Sequence, residues 1–174
     1  MDITIDEVKD SEYETLANLV KMYCYEWSQY NLFDVDENGV YPFEQYLHLY
    51  FERSRRYSYL VRVNGFIAGF ALIDDDFVIH NDYDYSMGEF FVMHKYRRLK
   101  VGRYMANFLF DKHKGMWEVG FHPKNTTSEN FWLSVISDYT NKNYTLNKEC
   151  SKLTYNDGSR GSVISFDSRI TPVN

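Results

Sequence analysis

The sequence predicts a mixed α/β (α+β) fold in which helices and strands are interleaved. Three observations lead there. Tyr13, Leu16, Val20, Tyr23 and Trp27 recur on one stripe at helical spacing. Two β-rich runs, Tyr57 to Val63 and Phe66 to Ile73, flank Asn64-Gly65, a dipeptide suited to a tight hairpin turn. An apolar run from Gly88 to Met93 leads through a basic turn into a helix opening at Val101, with Val101, Tyr104, Met105, Phe108 and Leu109 on one face.

Each element has its own signal. Ile3-Thr4-Ile5 opens as a short strand, and Ser11 to Glu14 reads as a capping box that starts the first helix. An acidic loop runs from Asn31 to Gly39, and Pro42 begins a second helix through Phe43, Tyr46, Leu47 and Tyr50. After the hairpin, Asp74 to Tyr85 is a polar loop, or a loop that grows into the start of the next strand, with Asp74-Asp75-Asp76 expected as a solvated turn. Beyond the basic turn come a helix to Lys112, a strand from Met116 to Phe121 ended by His122-Pro123, and a helix from Ser128 to Ile136. The last part of the chain reads as two strands around Asn156-Asp157-Gly158.

The basic turn carries the functional signal. A strand that delivers consecutive backbone N–H groups to a helix N-terminus builds an anion site. Arg97, Arg98, Lys100 and Arg103 place four cations within seven residues of a chain whose formal net charge is −6. A phosphate or pyrophosphate is the natural ligand.

Tyr96-Arg97-Arg98-Leu99-Lys100-Val101-Gly102-Arg103 resembles the pyrophosphate loop of the Gcn5-related N-acetyltransferase (GNAT) superfamily, Arg/Gln-x-x-Gly-x-Gly/Ala. Arg97 takes its first position and Gly102 its last. Lys100 stands where the family usually has its first Gly, and is expected to supply the same N–H from an ordinary φ. Glu89-Phe90-Phe91-Val92-Met93 is similar to the family's central strand, and Asn125-Thr126-Thr127-Ser128-Glu129-Asn130-Phe131-Trp132 resembles its Asn-x-x-Ala-x-x-Phe-Tyr segment. The resemblance implies a central mixed, mostly antiparallel sheet flanked by helices, in one N-acetyltransferase domain over residues 1–174. It implies acetyl-CoA as cosubstrate, its pyrophosphate on Arg97, Arg98, Leu99, Lys100, Val101, Gly102 and Arg103. The pantetheine arm would pair with the backbone of Phe91, Val92 and Met93, beside Asn125, Ser128 and Trp132.

The implied reaction is acetyl transfer to a primary amine of a small molecule, with a cationic acceptor suggested by the acidic loops. A non-catalytic CoA-binding module, a protein N-acetyltransferase and an unrelated phosphate-binding fold are the alternatives. Glu89 is the candidate base, weighed against a carboxylate that merely positions substrate or pairs with a cation. Trp132 replaces the family's Tyr and cannot release a proton, which leaves Tyr139 or Tyr96 as the acid if one is used.

Composition narrows the partners. With 44% hydrophobic residues, 16 Tyr and 13 Phe, the 174-residue chain can bury an aromatic core. Its acidic balance argues against nucleic acid and anionic membranes as partners, while a homodimer remains open. Cys24 and Cys150 read as reduced thiols of a cytoplasmic protein, the N-terminus lacks the pattern of a signal peptide, and the five His show no metal-site spacing.

Overall fold

The computed structural model describes residues 1–170, without the side chains of residues 44 and 45. The last four residues of the expected 1–174 domain lie outside the described residues. Seven strands form a sheet in the order β1-β2-β3-β4-β5-β7-β6. The chain divides into two compact units, Met1–Asp74 with Glu89–Gly102, and Asp75–Gly88 with the chain from Arg103 onward. Strand β4 (Tyr85–Val92) and helix α3 (Val101–Lys112) each run from one unit into the other.

In the first unit β1 (Ile3–Glu7), β2 (Tyr57–Val63) and β3 (Phe66–Asp74) pair antiparallel in sequence order. Asn64 and Gly65 take φ of 51° and 81°, the left-handed pair that a two-residue hairpin turn requires. The β2–β3 register shifts between Val61, which pairs with Gly69, and Arg62, which pairs with Ile67, so Ala68 is the extra residue of a bulge in β3. Helix α1 (Tyr13–Asn31) buries Leu16, Ala17, Val20 and Cys24 in one cluster with Leu60, Phe70, Leu72 and Phe91. Its entry differs from the expected capping box at Ser11. A 3₁₀ turn over Asp10–Glu12 precedes the helix, and the Lys9 N–H donates to the Glu12 carboxylate at 3.2 Å. The second expected helix is reduced to a 3₁₀ turn, Pro42–Tyr46, and a single α-helical turn α2, Leu49–Glu52.

In the second unit the pairing between β4 and β5 (Met116–Phe121) is parallel and covers Tyr85–Met87, three residues before the expected start of β4. Strand β5 pairs antiparallel with β7 (Ser162–Asp167), which pairs with β6 (Thr145–Asn147). The Asn156-Asp157-Gly158 turn lies within the long β6–β7 connection, closed by an isolated bridge between Thr154 and Arg160. Helix α3 begins at Val101 as expected and buries Val101, Met105 and Leu109 of the expected stripe together with Ala106 and Phe110, with Tyr104 about half exposed. Phe110 packs edge-on to Trp117 and Phe166 at 5.0 and 4.9 Å. Helix α4 spans Thr126–Tyr139.

Candidate active site

Strand geometry alternates side chains, so Phe91 enters the core while Glu89 sits two positions earlier on the same face. Helix α1 brings Tyr23 to it. The Tyr23 hydroxyl donates a short hydrogen bond to Glu89 Oε2. Tyr23 also packs edge-on to Phe70 and Phe91, with centroids at 5.9 and 6.0 Å, and stacks on Trp27 at 6.4 Å. Removal from water pushes the Glu89 carboxyl up to about 8; the Tyr23 hydrogen bond opposes this and the charge of Asp74 adds to it.

Asp74 is the largest departure from the sequence expectation. It is buried rather than part of a solvated turn. Its Oδ2 accepts from Tyr50 at 2.7 Å and lies 4.0 Å from Arg56 Nη1, with side chains only 5% (Arg56) and 7% (Asp74) exposed. Arg56 in turn lies over the Tyr50 ring at 5.3 Å. Burial and then the Asp74 carboxylate drive the Tyr50 hydroxyl far above its ordinary acidity range, so it remains a donor. Tyr23, Tyr50 and Asp74 thus gather around Glu89 from elements distant in sequence. A sequence signal existed for Tyr23, because a half-buried tyrosine hydroxyl on a helix's inner stripe needs a partner.

The basic turn is built differently from its composition. Two of its four cations are committed to carboxylates: Arg97 to Glu26 at 2.6 Å and Arg103 to Asp138 at 2.6 Å. Arg98 and Lys100 are exposed. Both take left-handed backbone conformations, with φ of 61° and 64°. The expectation of an ordinary φ at Lys100 is corrected: the backbone keeps the glycine-like conformation and the side chain accepts it. A left-handed Lys costs roughly 1–2 kcal/mol, against the extra chain entropy that Gly brings to the unfolded state. Lys100→Gly is expected to raise stability by up to about 1 kcal/mol, read from the denaturant midpoint.

Other sequence candidates lie in the second unit. Asn125 caps α4, its side-chain oxygen accepting from the Ser128 N–H at 3.0 Å. Trp132 is buried against Phe131 and Phe110, with centroids at 4.9 and 6.5 Å. The Tyr139 hydroxyl bonds Asp111 and Lys114, both at 2.8 Å. At 1.5 Å per residue it lies roughly 20 Å along α4 from Asn125, and we assign it no part in the chemistry. In the first unit, Tyr96 is buried. Glu118 was not anticipated at all. Buried on β5, it accepts the backbone N–H groups of Val78 (2.8 Å), Ile79 (3.2 Å) and His80 (3.0 Å), and so fixes the loop between β3 and β4.

His122 invites comparison with a nucleophile–base pair, since its Nε2 lies 3.1 Å from Ser159 Oγ and 3.4 Å from Asp157. Its Nδ1 accepts from the Lys124 N–H at 3.1 Å, which leaves the neutral ring's proton on Nε2. The ring therefore cannot take the serine proton, and the cluster staples the 157–159 turn.

A mixed sheet carrying a basic strand–turn–helix, with a carboxylate on the same strand, fits the class of enzymes that handle an anionic cosubstrate. The model of the Acetyltransferase (GNAT) family matches residues 19–135, more than half of the chain. The chain belongs to this family of acetyl-CoA-dependent N-acetyltransferases. No curated protein sequence matches it. Among solved structures it is similar to yncA of Salmonella typhimurium, a putative acetyltransferase with its cofactor acetyl-CoA, at TM-score 0.65 and 12% identity over 100% of this chain and 98% of that one. Diaminobutyrate acetyltransferase EctA of Paenibacillus lautus, in complex with L-2,4-diaminobutyric acid and coenzyme A, matches at 0.64 and 12%, covering 99% of both chains. The ribosomal-protein-S18-alanine N-acetyltransferase of Escherichia coli matches at 0.60 and 13%, over 99% of this chain and 97% of that one. At these identities the structures share the fold. No helix among the described residues is long and apolar enough to cross a membrane.

Proposed function

We propose that a single domain over residues 1–174 transfers the acetyl group of acetyl-CoA to a primary amine of a small cationic molecule in the cytoplasm, with Glu89 as general base. The observation that carries this reading is the Glu89 carboxyl, hydrogen-bonded by Tyr23 and raised to about 8. A primary ammonium titrates near 10, so its proton climbs about six pH units to reach an ordinary carboxylate. Glu89 closes most of that gap while still ionising in the neutral to mildly alkaline range.

The turn suits the pyrophosphate of acetyl-CoA. The N-terminal turn of α3 and the exposed Arg98 and Lys100 supply donors suited to such an anion. Phe91, Val92 and Met93 offer backbone groups beyond the stretch of β4 that pairs with β5. We assign them to the pantetheine arm, and Asn125, Ser128 and Trp132 to its flank. Acetyl-CoA, when bound, would supply the thioester carbonyl that the free amine attacks; the C–N bond would form as the C–S bond breaks, and the departing thiolate would take up the amine's second proton. Glu89 holds the proton removed from the ammonium, and Tyr23 stabilises the ionised carboxylate before that transfer.

A cationic acceptor is favoured by the net charge of −6 and by the half-buried Trp27–Tyr23 stack. The diamine bound by the Paenibacillus lautus enzyme points the same way. Initial rates of thiol release over polyamines, diamino acids, aminoglycosides and N-terminal peptides test it. Preference for the polycationic acceptors is expected, and a preference for acidic acceptors overturns the reading.

Gly102→Glu tests the loop assignment. A carboxylate on the first turn of α3 opposes the pyrophosphate and the helix dipole, so acetyl-CoA affinity should fall tenfold or more, about 1.4 kcal/mol or above. A folded variant with unchanged affinity would place the anion elsewhere.

A further inference from the structure

Two contacts, one helical turn apart, tie α1 to the central strand and the turn that follows it. The first is Tyr23 on Glu89. The second joins Glu26, three residues on and on the same helix face, to Arg97. Arg97 is held from several sides. Its Nη2 donates to Glu26 Oε2 at 2.6 Å, its Nε donates to the Val92 carbonyl at 2.7 Å, and its Nη1 meets His94 Nδ1 at 3.2 Å. His94 Nε2 lies 2.9 Å from the other Glu26 oxygen. The guanidinium also sits over the Phe91 ring at 5.7 Å, and that ring packs on Tyr23. The Arg97 side chain thus joins α1 to the end of β4.

We propose that Glu26 and Arg97 are positioning residues for acetyl transfer: their ion pair holds α1 against the end of β4 and so keeps the Tyr23 hydroxyl on Glu89. This rests on Glu89 being the base. The bond is geometrically demanding, because Arg97 spans a carboxylate and a backbone carbonyl at once, which a lysine cannot do with the same fork. The groups facing Glu89 are Tyr23 from α1, Asp74 from the end of β3 with Arg56 behind it, and Tyr50 from α2. Of these, Tyr23 alone donates to Glu89 from the helix that the ion pair holds. Loosening α1 therefore removes the Tyr23 hydrogen bond, which favours the ionised carboxylate.

The test is the titration of the Glu89 carboxyl, followed by carbon NMR in the full chain, alongside steady-state kinetics. In Glu26→Gln and in Arg97→Lys the midpoint should rise by about one pH unit, the worth of one hydrogen bond. The rate constant kcat should fall about tenfold or more, as misplaced catalytic groups do, while KM for acetyl-CoA changes less than about twofold. Tyr23→Phe should give the same upward shift, and the Tyr23→Phe/Glu26→Gln pair no further one. An unchanged Glu89 midpoint in Glu26→Gln overturns the proposal. So does a raised KM for acetyl-CoA with kcat intact in Arg97→Lys, which would make Arg97 a cosubstrate ligand. The titration is read whether or not Glu89 is the base, whereas full activity in Glu89→Gln would remove the base assignment alone.

Discussion

Glu89→Gln is expected to lower the rate of acetyl transfer by roughly 10²–10⁴-fold, the usual worth of a positioned general base. Gln keeps the shape, and the neighbouring backbone of Phe91 to Met93 is untouched, so acetyl-CoA affinity should hold. The pH dependence carries the sharper signature. The base works as the carboxylate, and its acidity is raised to about 8, so the wild-type rate should climb as pH rises through that value and then level. The variant's profile should lose this limb. Stability moves the other way. A carboxyl raised in the folded state binds its proton more tightly there than in the unfolded chain, so stability falls as pH rises from about 4.5 towards 8. Glu89→Gln should therefore melt above the wild type at pH 9 and match it more closely at pH 5. A fully active variant with the limb intact would transfer the base role to another group or to amine that arrives already free.

The second large effect is expected at Gly69. An added Cβ would lie 2.0 Å from the Phe91 carbonyl oxygen and 3.0 Å from Val92 Cα, both backbone atoms of β4. Met93 N–H donates to the Ala68 carbonyl at 2.8 Å, so the two chains are held together at this point. Gly69 also directly follows Ala68, the extra residue of the bulge in β3, where a residue without a side chain permits the closest approach. Gly69→Ala must push β4 off β3 or distort both, costing about 1–3 kcal/mol or more. Thermal unfolding should fall by roughly 4–10 °C for a chain of this size. Displacement of the segment from Phe91 to Met93 should also raise KM for acetyl-CoA. A variant with unchanged melting temperature and KM would show that β4 does not depend on this contact.

Local signals in the sequence determined much of the architecture. Asn64-Gly65 specified its hairpin because both residues tolerate the positive φ such a turn needs, and the helix opens at Val101 where the apolar period changes from two to 3.6. The basic strand–turn–helix was legible for the same reason: every feature of it lies within about twenty consecutive residues. The expectations that failed depended on distant chain. Asp74 looked like the first of three solvated aspartates, yet Tyr50 and Arg56 meet it and keep it buried. Arg97 looked free for an anion, but its partner Glu26 is 71 residues away, and Tyr23 reaches Glu89 across 66. Lys100 shows that a backbone conformation imposed by the turn outlasts the residue type that usually favours it. The identity of Glu89 as a carboxylate belongs to the sequence. Its altered acidity belongs to the tertiary structure, because desolvation and the charge of Asp74 arise only when α1, β3 and β4 are packed around it.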